Sequence, residues 1–155
     1  MAWLQRNAWW GLVAMAVIVV TFGVGDVISG VAADPGIPVG IVGMTPAQLD
    51  ANSPRAFRMY DFTLRGGGLS LVVLGTLMTA ILLFAFRRGQ HWAWWTMWVL
   101  PAWAIAADVL ILVIGLAPGQ APPPPLISGP IFAVLASAIL LVSAPRFFTD
   151  RPSDR

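Results

Sequence analysis

The run from Trp92 to Leu116, WAWWTMWVLPAWAIAADVLILVIGL, carries a single charged side chain, Asp108. A helix rises about 1.5 Å per residue, so this run crosses a hydrocarbon core of about 30 Å with residues to spare. Three further runs share its character: Ala8 to Ile28, Leu69 to Phe86 and Leu126 to Ala144. Inside a bilayer each must satisfy its own backbone N–H and C=O groups, and for separate runs that means an α-helix. The breaks are explicit: Pro35 and Pro38, then Arg87-Arg88-Gly89, then Pro122 to Pro125. The expected fold is all-α, a four-transmembrane-helix bundle forming one membrane domain over residues 1–155.

Composition agrees. The 155 residues are 58% hydrophobic and only 10% charged, against about 25% charged in a soluble domain. All nine cations are Arg and all seven anions are Asp. With abundant Ala, Gly, Pro and Trp, that usage suggests a GC-rich bacterial source, hence the bacterial inner membrane. The net charge of +2 is scattered, which excludes nucleic acid as a partner. The absence of Cys excludes disulfides, thiolate metal sites, thiol nucleophiles and iron–sulfur clusters.

Arginine placement sets an expected orientation. Arg6, Arg87, Arg88, Arg146, Arg151 and Arg155 fall on one side of the bundle; Arg55, Arg58 and Arg65 fall on the other. Both termini are therefore expected in the cytoplasm. Trp3, Trp9 and Trp10, with Trp92, Trp94, Trp95 and Trp98, form an aromatic belt at that cytoplasmic interface. The first apolar run exceeds a usual signal core, so it reads as a retained helix rather than a cleaved leader.

The outer loop, residues 30–65, opens with the apolar stretch Pro35 to Met44, expected to rest on the membrane or a partner. Thr45-Pro46 and Ser53-Pro54 each read as an N-cap followed by Pro at the first helical position. The second starts a short amphipathic helix over 54–64. Phe57, Tyr60 and Leu64 share one face; Arg58, Asp61 and Arg65 share another, spaced to pair. Phe57, Arg58, Tyr60 and Asp61 thus form a candidate outer partner surface, or simply an elbow seating the second membrane helix. Gly66-Gly67-Gly68 is expected to let the chain turn between them.

Asp108 is the main candidate for chemistry. A carboxylate inside a membrane helix costs about 2.5–3.5 kcal/mol on insertion scales, so it is expected to face the bundle or a partner. It could relay protons, hold a transported cation, pair with a base on another subunit, or serve as an internal tie to Arg65 or a hydroxyl. Asp26, near the outer end of the first helix, falls in the same half of the membrane. Asp108, Asp26 and Arg65 are therefore a candidate intramembrane polar cluster, with Thr63, Ser29 and Ser70 as possible hydroxyls. At the cytoplasmic rim, Arg87, Arg88, His91, Trp92 and Trp95 are candidate lipid contacts. Pro101 is expected to kink the third helix. A lone His91 without Cys or carboxylate neighbours implies no haem or metal, and no cofactor is expected. No catalytic constellation or phosphate-binding loop is present, so the chain is not expected to be an enzyme.

The stretch Arg87-Arg88-Gly89-Gln90-His91-Trp92-Ala93-Trp94-Trp95, with the preceding Leu64-Arg65-Gly66-Gly67-Gly68, resembles small uncharacterised four-helix integral membrane proteins of bacteria. The resemblance covers the middle third of the chain. It implies the helix count and no activity. Two functional readings follow. One is a non-catalytic accessory subunit of a larger membrane complex, energy-transducing complexes included, with lipids and other membrane subunits as partners. The other is a small transporter, or a lipid- or small-molecule-binding bundle, with a polar pocket at Asp108.

Overall fold

A computed structural model describes residues 7–148. Trp3, Arg6, Arg151 and Arg155, counted above toward the belt and the orientation, lie outside them. The helices are α1 (Trp9–Ser29), closed by a 3-10 turn over Gly30–Ala32; α2 (Gly36–Val42); α3 (Pro46–Asn52); α4 (Pro54–Ile81); α5 (His91–Met97); α6 (Val99–Ile114); α7 (Pro125–Ser143); and α8 (Pro145–Phe148). A π-helical turn over Leu82–Phe86 extends α4. There is no strand among the described residues. Four segments are long and apolar enough to cross a membrane: Trp9–Ala32, Pro54–Phe86, His91–Ile114 and Pro125–Phe148. The end of the bundle holding Trp9, Arg87 and Phe148 is called the terminal end; the other is the loop end.

The first two spans pack as a tight antiparallel pair, and small residues at intervals of seven make that possible. On α1 and its closing turn the series is Ala16, Gly23, Gly30; facing it are Gly75, Gly68 and Asp61. A Cβ on Gly23 would stand 2.6 Å from Gly68 O, and one on Gly68 would stand 2.7 Å from Gly23 O. A Cβ on Gly75 would stand 2.9 Å from Ala16 O. A repeat of seven keeps one seam in register along two gently crossing helices. Trp9 and Leu82, both in the core, continue the two series at the terminal end.

This packing corrects the expectation for Gly66-Gly67-Gly68. The chain does not turn there: one helix runs unbroken from Pro54 to Ile81. Gly68 is a point of close backbone approach, while nothing lies within 4 Å of a Cβ on Gly66 or Gly67. An elbow of 54–64 set off from a separate membrane helix is thus replaced by a single long span. Of the two expected caps, Thr45 alone bonds as one, in a reciprocal capping box with Gln48, whereas Ser53 makes no side-chain cap.

The third span is interrupted at Trp98, between α5 and α6. Pro101 has no N–H to give to the preceding turn, and Trp98 N–H bonds to Trp95 O at 3.2 Å, a tightened three-residue step. The core that joins all four spans lies toward the terminal end: Leu12, Met15, Leu82, Phe86, Met97, Leu100, Leu140 and Phe147 are buried there. Trp94, 6% exposed, donates its indole N–H to Leu140 O at 2.9 Å, tying the third span to the fourth. Trp94→Phe is expected to lower stability in detergent by about 1 kcal/mol, because the Leu140 carbonyl loses the indole donor and keeps only the Ser143 hydroxyl at 2.8 Å. Trp95→Phe, at an exposed position, is the control and is expected to change little.

At the loop end the two helical pairs meet through α2. Its Gly40 O accepts from Ala117 N–H at 2.8 Å, and a Cβ on Gly40 would lie 2.9 Å from Pro123 N. Pro38 and Pro123 are buried. The apolar start of the loop, expected to rest on membrane or partner, packs on the chain's own proline run.

Candidate functional site

Arg65 and Asp61 sit one helical turn apart on α4, and the i,i+4 spacing lets them pair: Arg65 Nε lies 2.7 Å from Asp61 Oδ2. The pair then caps the first span. Arg65 Nη1 donates to Val27 O at 2.7 Å and Ile28 O at 2.9 Å. Asp61 Oδ1 accepts from Val31 N–H at 3.0 Å. The carbonyls at a helix C-terminus carry partial negative charge and lack intrahelical donors, so a guanidinium suits them. Gly30 lies in the left-handed region at φ +54, and a side chain there would run into Asp61 and Arg65.

Arg65 therefore does not join Asp108 or Asp26 among the described contacts. Asp26 shares its seam, with Cβ packed against Gly68. Its charged neighbour is Asp34, and both lie near Tyr60. Burial pushes the Asp34 carboxyl above its usual range, opposed in part by a hydrogen bond from Gly36 N–H. Tyr60 Oη is buried without a hydrogen-bond partner among the described residues. Thr63 and Ser70, two of the three expected hydroxyl contributors, donate instead to Met59 O and Gly66 O on their own helix.

Asp108 faces the fourth span. Its carboxyl group occupies the notch at Gly129, where a Cβ would lie 2.8 Å from Asp108 Cγ. Its Oδ1 is buried without a partner among the described residues. The glycine opposite was the signal that sequence reasoning missed: only a residue without a side chain leaves room for a carboxyl between packed helices.

The expected outer surface divides. Phe57 and Tyr60 are half-buried, Asp61 turns inward to Arg65, and Arg58 alone of the four is exposed. Arg58 takes no part in the ion pair that its spacing to Asp61 suggested. At the terminal end, the Arg87 guanidinium lies 5.7 Å from the Trp9 ring centroid, and Arg146 donates to Arg87 O. His91 packs on Phe148 at 5.3 Å between ring centroids. Arg88, Trp92 and Trp95 are exposed, and Trp92 donates to Gln90 Oε1 at 2.7 Å.

Between the first and second spans runs a groove of about 420 Å³, lined in part by Val17, Thr21, Thr79 and Phe84. Thr21 and Thr79 give their hydroxyl protons to Val17 O and Gly75 O, and the remaining polar group on this mostly apolar wall is the exposed Thr76 hydroxyl. Among the described residues no group of three or more His, Cys, Asp or Glu is placed to hold a metal. No protein-family model, curated protein or solved structure matches the chain.

Proposed function

We propose that the chain is a non-catalytic accessory subunit of a larger membrane complex, in the inner membrane of a bacterium, with both termini in the cytoplasm. The supporting observation is the setting of Asp108. Its carboxyl group lies against Gly129 of the neighbouring helix, with Oδ1 buried there in an otherwise half-buried side chain, and no other titratable group stands beside it among the described residues. A transport site needs a solvent-connected path and several titratable groups in series. Here the acid stands alone among the described residues, and the groove between the first two spans is mostly apolar, with hydroxyls but no titratable group on its wall.

Partner helices have surface to meet. Toward the loop end, Ile105, Val109, Leu110, Leu112, Val113 and Ile114 of α6 are all exposed. A helix apolar around its circumference belongs among lipids or other helices. The bacterial four-helix proteins that the Arg87 to Trp95 stretch resembles fit this reading, and the terminal-end Arg and Trp residues fit a cytoplasmic rim.

Purification in mild detergent, followed by identification of co-purifying chains, tests the proposal. Recovery of the chain alone as a monomer overturns it. Asp108→Ala sharpens the test. The side chain has an unpartnered buried oxygen, so its removal is expected to leave the isolated chain's stability within about 1 kcal/mol of the original. If Asp108 instead serves transport, Asp108→Asn abolishes flux of a substrate through reconstituted vesicles at unchanged stability.

A further inference from the structure

The second span is too long for its partner. Its 33 residues extend about 50 Å at 1.5 Å per residue, against about 36 Å for the 24 residues of the first. The pairing of Gly30 with Asp61 marks where the first span ends, so Pro54 to Tyr60 stand beyond it. One face of this overhang continues the lipid-facing stripe of the span. Leu69, Val73 and Leu77 are exposed on it, and Met59 (66% exposed) and Phe62 (72%) carry the stripe onward at helical spacing. Arg58 and Arg55 complete it on the same face, both exposed. Among the described residues neither takes part in an ion pair or side-chain hydrogen bond.

Depth along the axis gives the order meaning. Continuing the seven-residue seam one step past Ala16 and Gly75 sets Leu82 opposite Trp9, both in the terminal-end core. Phe62 is about 30 Å from that level along the helix, at the far limit of the hydrocarbon core. Arg58 and Arg55 lie about 36 and 40 Å from it, within the head-group layer. The stripe therefore changes from aliphatic to aromatic to cationic where the bilayer changes from hydrocarbon to glycerol to phosphate. Guanidinium groups bond phosphate oxygens in a fork, and their aliphatic stems lie easily along apolar surface.

We propose that Arg55 and Arg58, seated over Met59 and Phe62, bind the phosphate groups of anionic phospholipid in the leaflet at the loop end. The overhang is thereby a lipid anchor that sets the depth of the second span. This rests on the membrane assignment and is independent of the accessory role.

The chain has no native cysteine, so single spin labels through Met59→Cys and Phe62→Cys report cleanly. In phosphatidylcholine vesicles containing phosphatidylglycerol, both labels are expected to relax with dissolved oxygen in preference to a water-soluble nickel complex. Preference for the nickel complex, or access by neither, overturns the proposal: the first leaves the stripe in solvent and the second covers it with protein. Native mass spectrometry of the full chain gives a second measure. The preference for retaining phosphatidylglycerol over phosphatidylcholine is expected to fall about five-fold per arginine, or about thirty-fold in Arg55→Gln/Arg58→Gln. An unchanged preference overturns the proposal, as does displacement of the lipid by millimolar inorganic phosphate, which would assign a soluble-anion site.

Discussion

Gly68→Leu is expected to unfold the pairing of the first two spans, with a loss of about 3 kcal/mol or more. The first atom of a side chain at 68 would already stand 2.5 Å from Asp26 Cβ and 2.7 Å from Gly23 O. Backbone cannot step aside as a flexible side chain can, so the helices must separate. Overpacking of a tight core commonly costs about 1–3 kcal/mol. Here it is compounded by lost contact along the Ala16, Gly23, Gly75 seam. Gly66→Ala and Gly67→Ala make the opposite prediction, because nothing lies within 4 Å of a Cβ at either position. Each removes a helix-interior glycine without a clash and is expected to stabilise by about 0.5–1 kcal/mol. Unfolding midpoints of the three variants in mild detergent check the contrast. A uniform loss at all three positions would indicate that the glycines serve flexibility rather than close approach.

The three glycines also show where local reading stops. The apolar runs were legible because membrane solvent imposes one demand on every residue of a span, so four spans emerge from composition alone. The Pro101 interruption was legible for the same kind of reason: a missing N–H is a local fact. Whether Gly66-Gly67-Gly68 turns or continues depends on what lies opposite. Taken alone, three glycines favour a turn. Set against Gly23 and Asp26, the last of them is the contact that holds the helix straight. The series Ala16, Gly23, Gly30 and Asp61, Gly68, Gly75 was present in the sequence, but small residues at regular spacing are frequent in membrane helices, and only the facing partner makes them a seam.

The candidate site divides along the same line. Asp108 stood out because a lone acid in hydrocarbon is costly wherever it points. Its neighbour Gly129 did not, since a glycine signals nothing until a carboxyl fills its notch. Arg65 was assigned by depth to the intramembrane acids Asp108 and Asp26. Its helical spacing to Asp61 also predicted a pair one turn away, and that pair forms, while two carbonyls at the end of α1, which the sequence did not reveal, take its remaining donors.

That diversion predicts the second large effect. Arg65→Gln is expected to cost about 2–3 kcal/mol, and Asp61→Asn clearly less. The ion pair is not the main source, because Arg65 is 42% exposed and Asp61 26%, and pairs open to solvent contribute about 1 kcal/mol at most. What Arg65 supplies is a charged donor to Val27 O and Ile28 O, which otherwise end the first span without partners near the edge of the hydrocarbon. Glutamine is too short to span from α4 to both. Asn at 61 keeps an acceptor for Val31 N–H and loses only the charge. Unfolding free energies of the two variants in mild detergent, with hydrogen exchange at the Val31 amide, separate the roles. Exchange is expected to rise in Asp61→Ala and to change little in Asp61→Asn. Equal losses for Arg65→Gln and Asp61→Asn would instead place the energy in the ion pair. The capping role would then fail, and the first span would be held by the seam of small residues and the terminal-end core.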